Sequence, residues 1–343
     1  MPIIVKTLDL SAWAAWEDYA AGHPDATFFH RAGWSRVIEA SFGHPTHYLY
    51  AERGGRVCGL LPLAHYRSWM FGNALISNAC CMGGGPVADD DGAYAALDAA
   101  ALALMERVGA DYLEYRRPCR RHADWRCRDN LYVTFEQPID RDEETALKRI
   151  PRKQRAVVRK ALQSGLADEM DTGIDRFYAL YAANVHNHGT PVFSKGYFRN
   201  LMAEFGADCD ILTVCHEGTA LSSVLSFYHR GRVMPYYTGS AGLARDLGAN
   251  DFMYWRLMRR AADRGCTIFD FGRSKIGTGP YAFKKNWGFD PIPVVHEYRT
   301  RDGQSLPDLN PLNPKYRLFI AVWKRLPLPV ANLLGPNIVR NIG

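Results

Sequence analysis

The alternation of apolar and polar positions runs through the same order of elements twice. In the first half, residues 3–6 read as a short strand. A helix capped by Ser11 follows, with Trp13, Trp16 and Tyr19 at i, i+3 and i+6. His23-Pro24-Asp25 breaks it, and a second helix carrying Phe28, Phe29 and Trp34 stops near Gly43. Residues 47–52 and 57–66 pair as strands across Gly54-Gly55. A strand over 73–78 enters the glycine run Gly83-Gly84-Gly85. An Ala/Leu-rich helix over 91–108 ends at Gly109, and strands over 111–116 and 129–134 close the half. In the second half, strands over 210–217, 220–228 and 232–238 lead to a loop holding Gly239, Gly242 and Gly248. A helix over 250–264 then stops at Gly265, and a buried strand covers 266–271. Hairpin, strand, glycine loop, helix and strand recur in that order. This predicts an α/β (α+β) fold duplicated in tandem, with little residue identity left between the copies.

Between the halves, residues 147–166 carry seven basic side chains and no acid from Lys148 to Lys160. Arg152, Arg155 and Arg159 share one side of the predicted helix. The face is either a solvated basic surface or a contact for phosphate. The expected layout is residues 1–146, a basic helix over 147–166, a second domain over 167–301, and a tail over 302–343. Two helices over 173–206 flank His186, His188 and the sequence HGTPVF, read either as a pocket-lining loop or as a plain connection. The tail is punctuated by prolines, and a helix over 316–325 sets Leu318, Phe319, Val322 and Trp323 against Lys315, Arg317, Lys324 and Arg325. That pattern suits a foot on a membrane surface or packing on the protein body.

Composition is that of a globular protein of 343 residues, 47% hydrophobic, with a net charge of +6 too modest to imply a dedicated nucleic-acid binder. Eight scattered cysteines, with no C-x-x-C and no zinc spacing, suit a reducing cytosol and buried thiols. No metal site is expected. The first twenty residues lack a signal-peptide pattern, and no apolar run is long enough to span a bilayer, so a cytoplasmic location is expected.

The chemistry concentrates in residues 266–289, CTIFDFGRSKIGTGPYAFKKNWGF. A strand ends in Gly272-Arg273-Ser274-Lys275, and Tyr281, Phe283, Lys284, Lys285 and Trp287 crowd into seven residues. Such a stretch is either a glycine turn with solvated lysines or a site for an anionic, partly flat ligand. With a glycine loop opening a helix and a basic patch, it suits acyl transfer from a phosphate-containing carrier. The helix N-terminus would hold pyrophosphate, N–H groups or lysine would steady the oxyanion, and a carboxylate or phenol would take the amine proton. Asp270 is the preferred general base, although an aspartate there can also simply orient Arg273.

The sequences AGHPDATFFHRAGW (21–34), GGGPVADD (83–90), IPRKQRAVVRKA (150–161), NDFMYWRLMRRA (250–261), FDFGRSKIGTGPYAFKKNWGF (269–289) and NPLNPKYRLFIAVWKRLPLPVANLLGP (310–336) resemble the Fem-type branch of the GNAT superfamily. More narrowly they resemble FemAB-like proteins associated with PEP-CTERM and exosortase systems. The resemblance implies tandem GNAT-like domains and amide-forming transfer to an acceptor tied to the cell envelope or exopolysaccharide. It also implies a phosphate-binding, catalytic lysine at Lys284, with Lys285 beside it. The coiled-coil arm thought to help some Fem enzymes hold tRNA has no counterpart here, which places tRNA behind other donors.

Asp270, Lys284 and Tyr281 are therefore the expected catalytic residues. Arg273, Lys275, Lys285, Tyr236, Tyr237, Arg152, Lys153, Arg159 and Trp287 are the expected substrate contacts. Acyl-CoA or another activated acyl or aminoacyl carrier is the expected co-substrate, with no tightly bound cofactor. A small or lipid-linked molecule is the expected acceptor, with peripheral membrane contact through the tail. The alternative is a GNAT-like module that binds an envelope lipid or polysaccharide precursor without catalysis.

Overall fold

The computed structural model describes residues 1–68, 72–301 and 314–341, and side chains of the first tail helix from Phe319 onward. The chain divides into two units: Met1–Asn130 with Pro293–Asn313 and Asn337–Gly343, and Leu131–Ile292 with Pro314–Pro336. Residues 302–313 of the expected tail, and the side chains of Lys315, Arg317 and Leu318, lie outside the described residues.

The first unit runs β1 (Ile3–Thr7), α1 (Trp13–Gly22), α2 (Gly33–Phe42), β2 (Thr46–Arg53), β3 (Arg56–Ser68), β4 (Gly72–Ser77), β5 (Val87–Ala88), α3 (Asp91–Val108) and β6 (Tyr112–Arg117). β7 (Arg126–Pro138) passes from the first unit into the second, which continues with α4 (Glu143–Arg149), α5 (Arg152–Leu162), β8 (Leu166–Asp171), α6 (Asp175–His188), α7 (Lys195–Phe205), β9 (Cys209–His216), β10 (Thr219–His229), β11 (Arg232–Ser240), α8 (Ala249–Asp263), β12 (Ile268–Asp270), β13 (Ser274–Lys275) and α9 (Gly279–Asn286). β14 (Pro291–Thr300) returns to the first unit, and α10 (Pro314–Trp323) and α11 (Leu328–Val339) follow.

The two sheets have one plan. In the first unit the order is β1-β2-β3-β4-β6-β14, with β4 and β6 parallel and every other neighbouring pair antiparallel. In the second unit it is β8-β9-β10-β11-β12-β7, with β11 and β12 the parallel pair. In each, a loop and a long helix bridge the parallel strands, as such a pair requires. The duplication expected from the order of elements is thus present at the level of fold.

α3 has the bounds expected, because its ends are written locally. Asp90 caps it by accepting from the Ala93 amide at 2.9 Å, and Gly109 ends it in the left-handed region at φ +68. Other stretches differ from expectation. The basic segment is two helices, α4 and α5, parted at Ile150-Pro151 rather than one. The strand expected over 266–271 is trimmed to Ile268–Asp270, and the glycine stretch after it folds into α9. Both cores are apolar: α3 packs with Leu61, Leu75, Leu113 and Tyr115, and α8 with Val224, Val233, Phe269 and Phe271.

Candidate active site

Asp270 is the last residue of β12 and is buried. One oxygen, Oδ1, accepts from the Gly272 amide at 2.8 Å and from the Thr134 hydroxyl of β7 at 3.3 Å. Burial raises its pKa from the usual carboxylate range to about 6, and Glu136, its cross-strand partner on β7, adds to the rise. The Gly272 amide, Arg232 and Lys284 pull the other way. Arg232 is bonded to Glu136 at 2.5 Å.

Lys284 comes from α9, which opens with Pro280 in its first turn. Neighbouring residues of a helix point about 100° apart, so the lysine pair separates: Lys284 is buried and Lys285 is exposed. The Lys284 ammonium donates to the carbonyls of Gly272 at 2.9 Å and Arg273 at 3.2 Å. It stands 5.6 Å and 5.7 Å from the ring centres of Phe135 and Phe271. Burial, opposed by the Asp270 charge and helped by that of Arg273, lowers its pKa to about 7. An acid and an amine near one strand end are thus each moved toward neutrality. At pH 7 such a carboxyl is mostly ionised and can accept a proton, while the amine is close to half protonated.

The other expected residues divide clearly. Tyr281 sits edge-on to Phe135 at 5.7 Å, the same ring that Lys284 faces, and Lys285 lies 5.9 Å from the Tyr281 ring. Arg273 stacks over Tyr132 at 4.5 Å, and Lys275 pairs with Tyr132 where β13 joins β7. Tyr236 occupies a bulge in β11, opposite the step from Leu225 to Ser226, and packs on Phe227. Tyr237 enters an aromatic cluster with Tyr181, Phe193 and Phe198, its hydroxyl 2.8 Å from that of Tyr197.

Trp287 is a correction. It was expected against substrate, but it is fully buried between Tyr254 and Phe271, and its indole N–H donates to Asp251 at 3.1 Å. A large ring with its one donor satisfied inside the core is a packing residue. The HGTPVF loop is covered in part: Gly189, Pro191 and Val192 are buried and the Phe193 carbonyl accepts from Tyr178 at 3.1 Å, while His188 and Thr190 are exposed.

The basic helix α5 packs on α8 through Val158 and Ala161, leaving Arg152, Lys153 and Arg159 exposed. Arg155, on the same side, is spent locally on the carbonyls of Lys148 and Ile150 at 2.9 Å and 3.0 Å. Gly248 precedes α8 at φ +69, and a Cβ there would lie 3.1 Å from Ala161, so a side chain would strain both the backbone and the packing. Gly248 also leaves the α8 N-terminus without a side-chain cap. Asp251, in the first turn of α8, accepts from Gln154 of α5 and from Trp287 just past α9. Gly288 rests on Pro151, which would stand 2.9 Å from an added Cβ. The start of α5, the start of α8 and the end of α9 therefore meet around one half-buried carboxyl.

Sequence reasoning missed Asp251, Gln154, Thr134 and Glu136. Only Asp251 carried a signal, as an acid in the first turn of a predicted helix. Among the described residues, no group of three His, Cys, Asp or Glu side chains could hold a metal ion, and the eight cysteines are free.

Residues 146–285 match the family model described as Acetyltransferase (GNAT) domain. That stretch includes every expected site residue except Trp287. No curated protein matches the chain. Among solved structures, "Crystal structure of FemX" superposes with a TM-score of 0.70 at 16% identity, covering 92% of this chain and 100% of that one. A tandem GNAT protein from the clavulanic acid biosynthesis pathway gives a TM-score of 0.55 at 13% identity, covering 89% and 100%. The C-terminal domain of a lysylphosphatidylglycerol synthetase, described as putative in its name, from Agrobacterium fabrum gives 0.55 at 12%, covering 85% and 92%. The chain is thus similar over residues 146–285 to GNAT acetyltransferase domains, and its tandem α/β fold is one that solved GNAT proteins share.

Proposed function

We propose that the protein is an acyl- or aminoacyltransferase that forms an amide on a cell-envelope or exopolysaccharide-related acceptor. The observation that carries the reading is the pairing of buried Asp270 and Lys284 at the end of β12, with pKa values near 6 and 7. The match to the GNAT family model and the likeness to FemX support the reaction class. An acceptor amine would attack the carbonyl carbon of the activated acyl group. A C–N bond forms, the carrier's C–S or C–O bond breaks, and the thiol or hydroxyl leaves with a proton. Asp270 would take the amine proton, with the Tyr281 phenol as the second group for that role. Lys284 would steady the oxyanion or return a proton to the leaving group. The expected substrate contacts remain Arg273, Lys275, Lys285, Tyr236, Tyr237, Arg152, Lys153 and Arg159. Of these, Arg152, Lys153 and Arg159, beside the α8 N-terminus, suit a phosphate-bearing carrier such as acyl-CoA, with aminoacyl-tRNA the second donor.

A second reading, a non-catalytic precursor-binding module in the cytoplasm, is favoured by one fact. Asp270 and Lys284 already have internal partners, so they can serve as a structural pin. Mass spectrometry of reactions containing acetyl-CoA, long-chain acyl-CoA or aminoacyl-tRNA with amine-bearing envelope precursors separates the two. Amide product that disappears in Asp270→Asn supports transfer, whereas precursor binding with no product from any donor supports the module.

A further inference from the structure

α10 and α11 are each docked by one face. Trp323 is buried, and Ile320 covers Gly189 so closely that a Cβ there would stand 2.5 Å from its side chain. Gly335 of α11 meets Val192, whose amide would be 2.8 Å from an added Cβ. The remaining faces are open and apolar. Val322 is 53% and Leu333 74% exposed, and Phe319, Val330 and Leu334 are exposed with them. Five of the fourteen exposed large apolar side chains among the described residues fall within residues 319–334, so the exposure is concentrated there. Val330, Leu333 and Leu334 lie at i, i+3 and i+4 on one side of α11.

Charge says what covers these faces. From residue 309 to 343 the sequence has Lys315, Arg317, Lys324, Arg325 and Arg340 and no acidic residue. Lys324 and Arg325 stand exposed in the turn between the two helices. Among the described residues no helix is long and apolar enough to cross a membrane. Short helices with protruding apolar side chains, flanking cations and no carboxylate fit the interface of an anionic bilayer. A protein partner would fit the apolar side chains, but it gives no reason for a segment cleared of acids.

We infer that α10 and α11 form a docking surface for anionic phospholipid, with Phe319, Val322, Val330, Leu333 and Leu334 entering the headgroup layer and Lys324 and Arg325 pairing with lipid phosphates. The inference deepens the envelope-directed reading by naming where the protein meets the membrane, and its test involves no turnover.

The test is co-sedimentation of the full chain with vesicles of phosphatidylcholine alone, or with a third of the lipid replaced by phosphatidylglycerol, at low and high salt. Binding to the anionic vesicles that falls with salt is expected. Lys324→Gln with Arg325→Gln is expected to lower the partition coefficient about thirtyfold, at about fivefold per cation. Phe319→Asn with Leu333→Asn, both at exposed positions, is expected to abolish it. Absence of binding to anionic vesicles, equal binding to neutral ones, or unchanged binding by the glutamine variant overturns the inference. So does a dimer by light scattering that the asparagine variant dissolves, since the face is then a protein interface. The salt dependence of the unaltered chain stands even if a variant folds poorly.

Discussion

Replacing Lys284 by methionine tests whether the buried amine is tuned as described. Its pKa falls from 10.5 to about 7 in the folded protein. Between those values the unfolded chain binds the proton and the folded chain does not, so stability rises with pH across that window. At about 1.4 kcal/mol per pH unit, the gain from pH 7 to pH 10 is about 3 to 4 kcal/mol once partial titration at both ends is included. Lys284→Met removes this slope; it also removes a charge that lowers the Asp270 pKa, and any slope this adds falls at the low end of the series, where that carboxyl titrates. It also loses the bonds to the Gly272 and Arg273 carbonyls, a constant offset that does not depend on pH. The assay is urea unfolding of both proteins at pH 7, 8, 9 and 10. The wild type should gain on the variant by that amount over the series. A difference flat to within about 1 kcal/mol would mean that the amine keeps its ordinary pKa, and the argument for a proton-transferring lysine fails.

Three further outcomes follow from the same geometry. Asp270→Asn should cut transfer by about a hundredfold or more. Because the folded pKa of Asp270 is raised to about 6, the stability it confers is complete below the unfolded carboxylate range and gone above pH 6, so the variant should be relatively more stable at pH 8 than at pH 4. Trp287→Ala should cost about 3 to 5 kcal/mol in urea unfolding, since it empties a fully buried site and strips Asp251 of a donor; a cost below about 1 kcal/mol would contradict its place in the core. Arg152→Glu with Lys153→Glu, at exposed positions of α5, should leave the melting temperature unchanged while weakening acyl-CoA binding and flattening its salt dependence, read by calorimetry.

Where the chain was legible, the information was local. α3 could be delimited because Asp90, Gly109 and a regular apolar stripe all lie within it or at its ends. The order of strands and helices showed the duplication because each copy must turn its sheet at the same kind of glycine loop. α9 was hidden because Gly277, Gly279 and Pro280 look like a loop, and only packing on Phe135 and Phe271 decides which lysine goes inside. β8, LADEMD, was missed because it is a charged edge strand, steadied by Arg256 and Arg260 on Asp168 at 2.7 Å and 2.8 Å rather than by an apolar run. β14 opens with Pro291 and Pro293, which mask a strand whose middle is buried. The aromatic crowding before Phe289 suggested a ligand wall because a buried tryptophan and a ligand-stacking one have the same sequence signature.

The most direct test of the account is a thermal-shift comparison of the full chain with acetyl-CoA, long-chain acyl-CoA and aminoacyl-tRNA, beside Lys284→Ala. A donor at about a hundred times its dissociation constant adds about 2.7 kcal/mol, a rise of roughly 5 to 10 °C for a unit of this size. At least one of the activated carriers is expected to give such a rise, reduced or lost in the variant. No rise with any of them, or an equal rise in both proteins, would contradict a transferase built on Lys284 and Asp270.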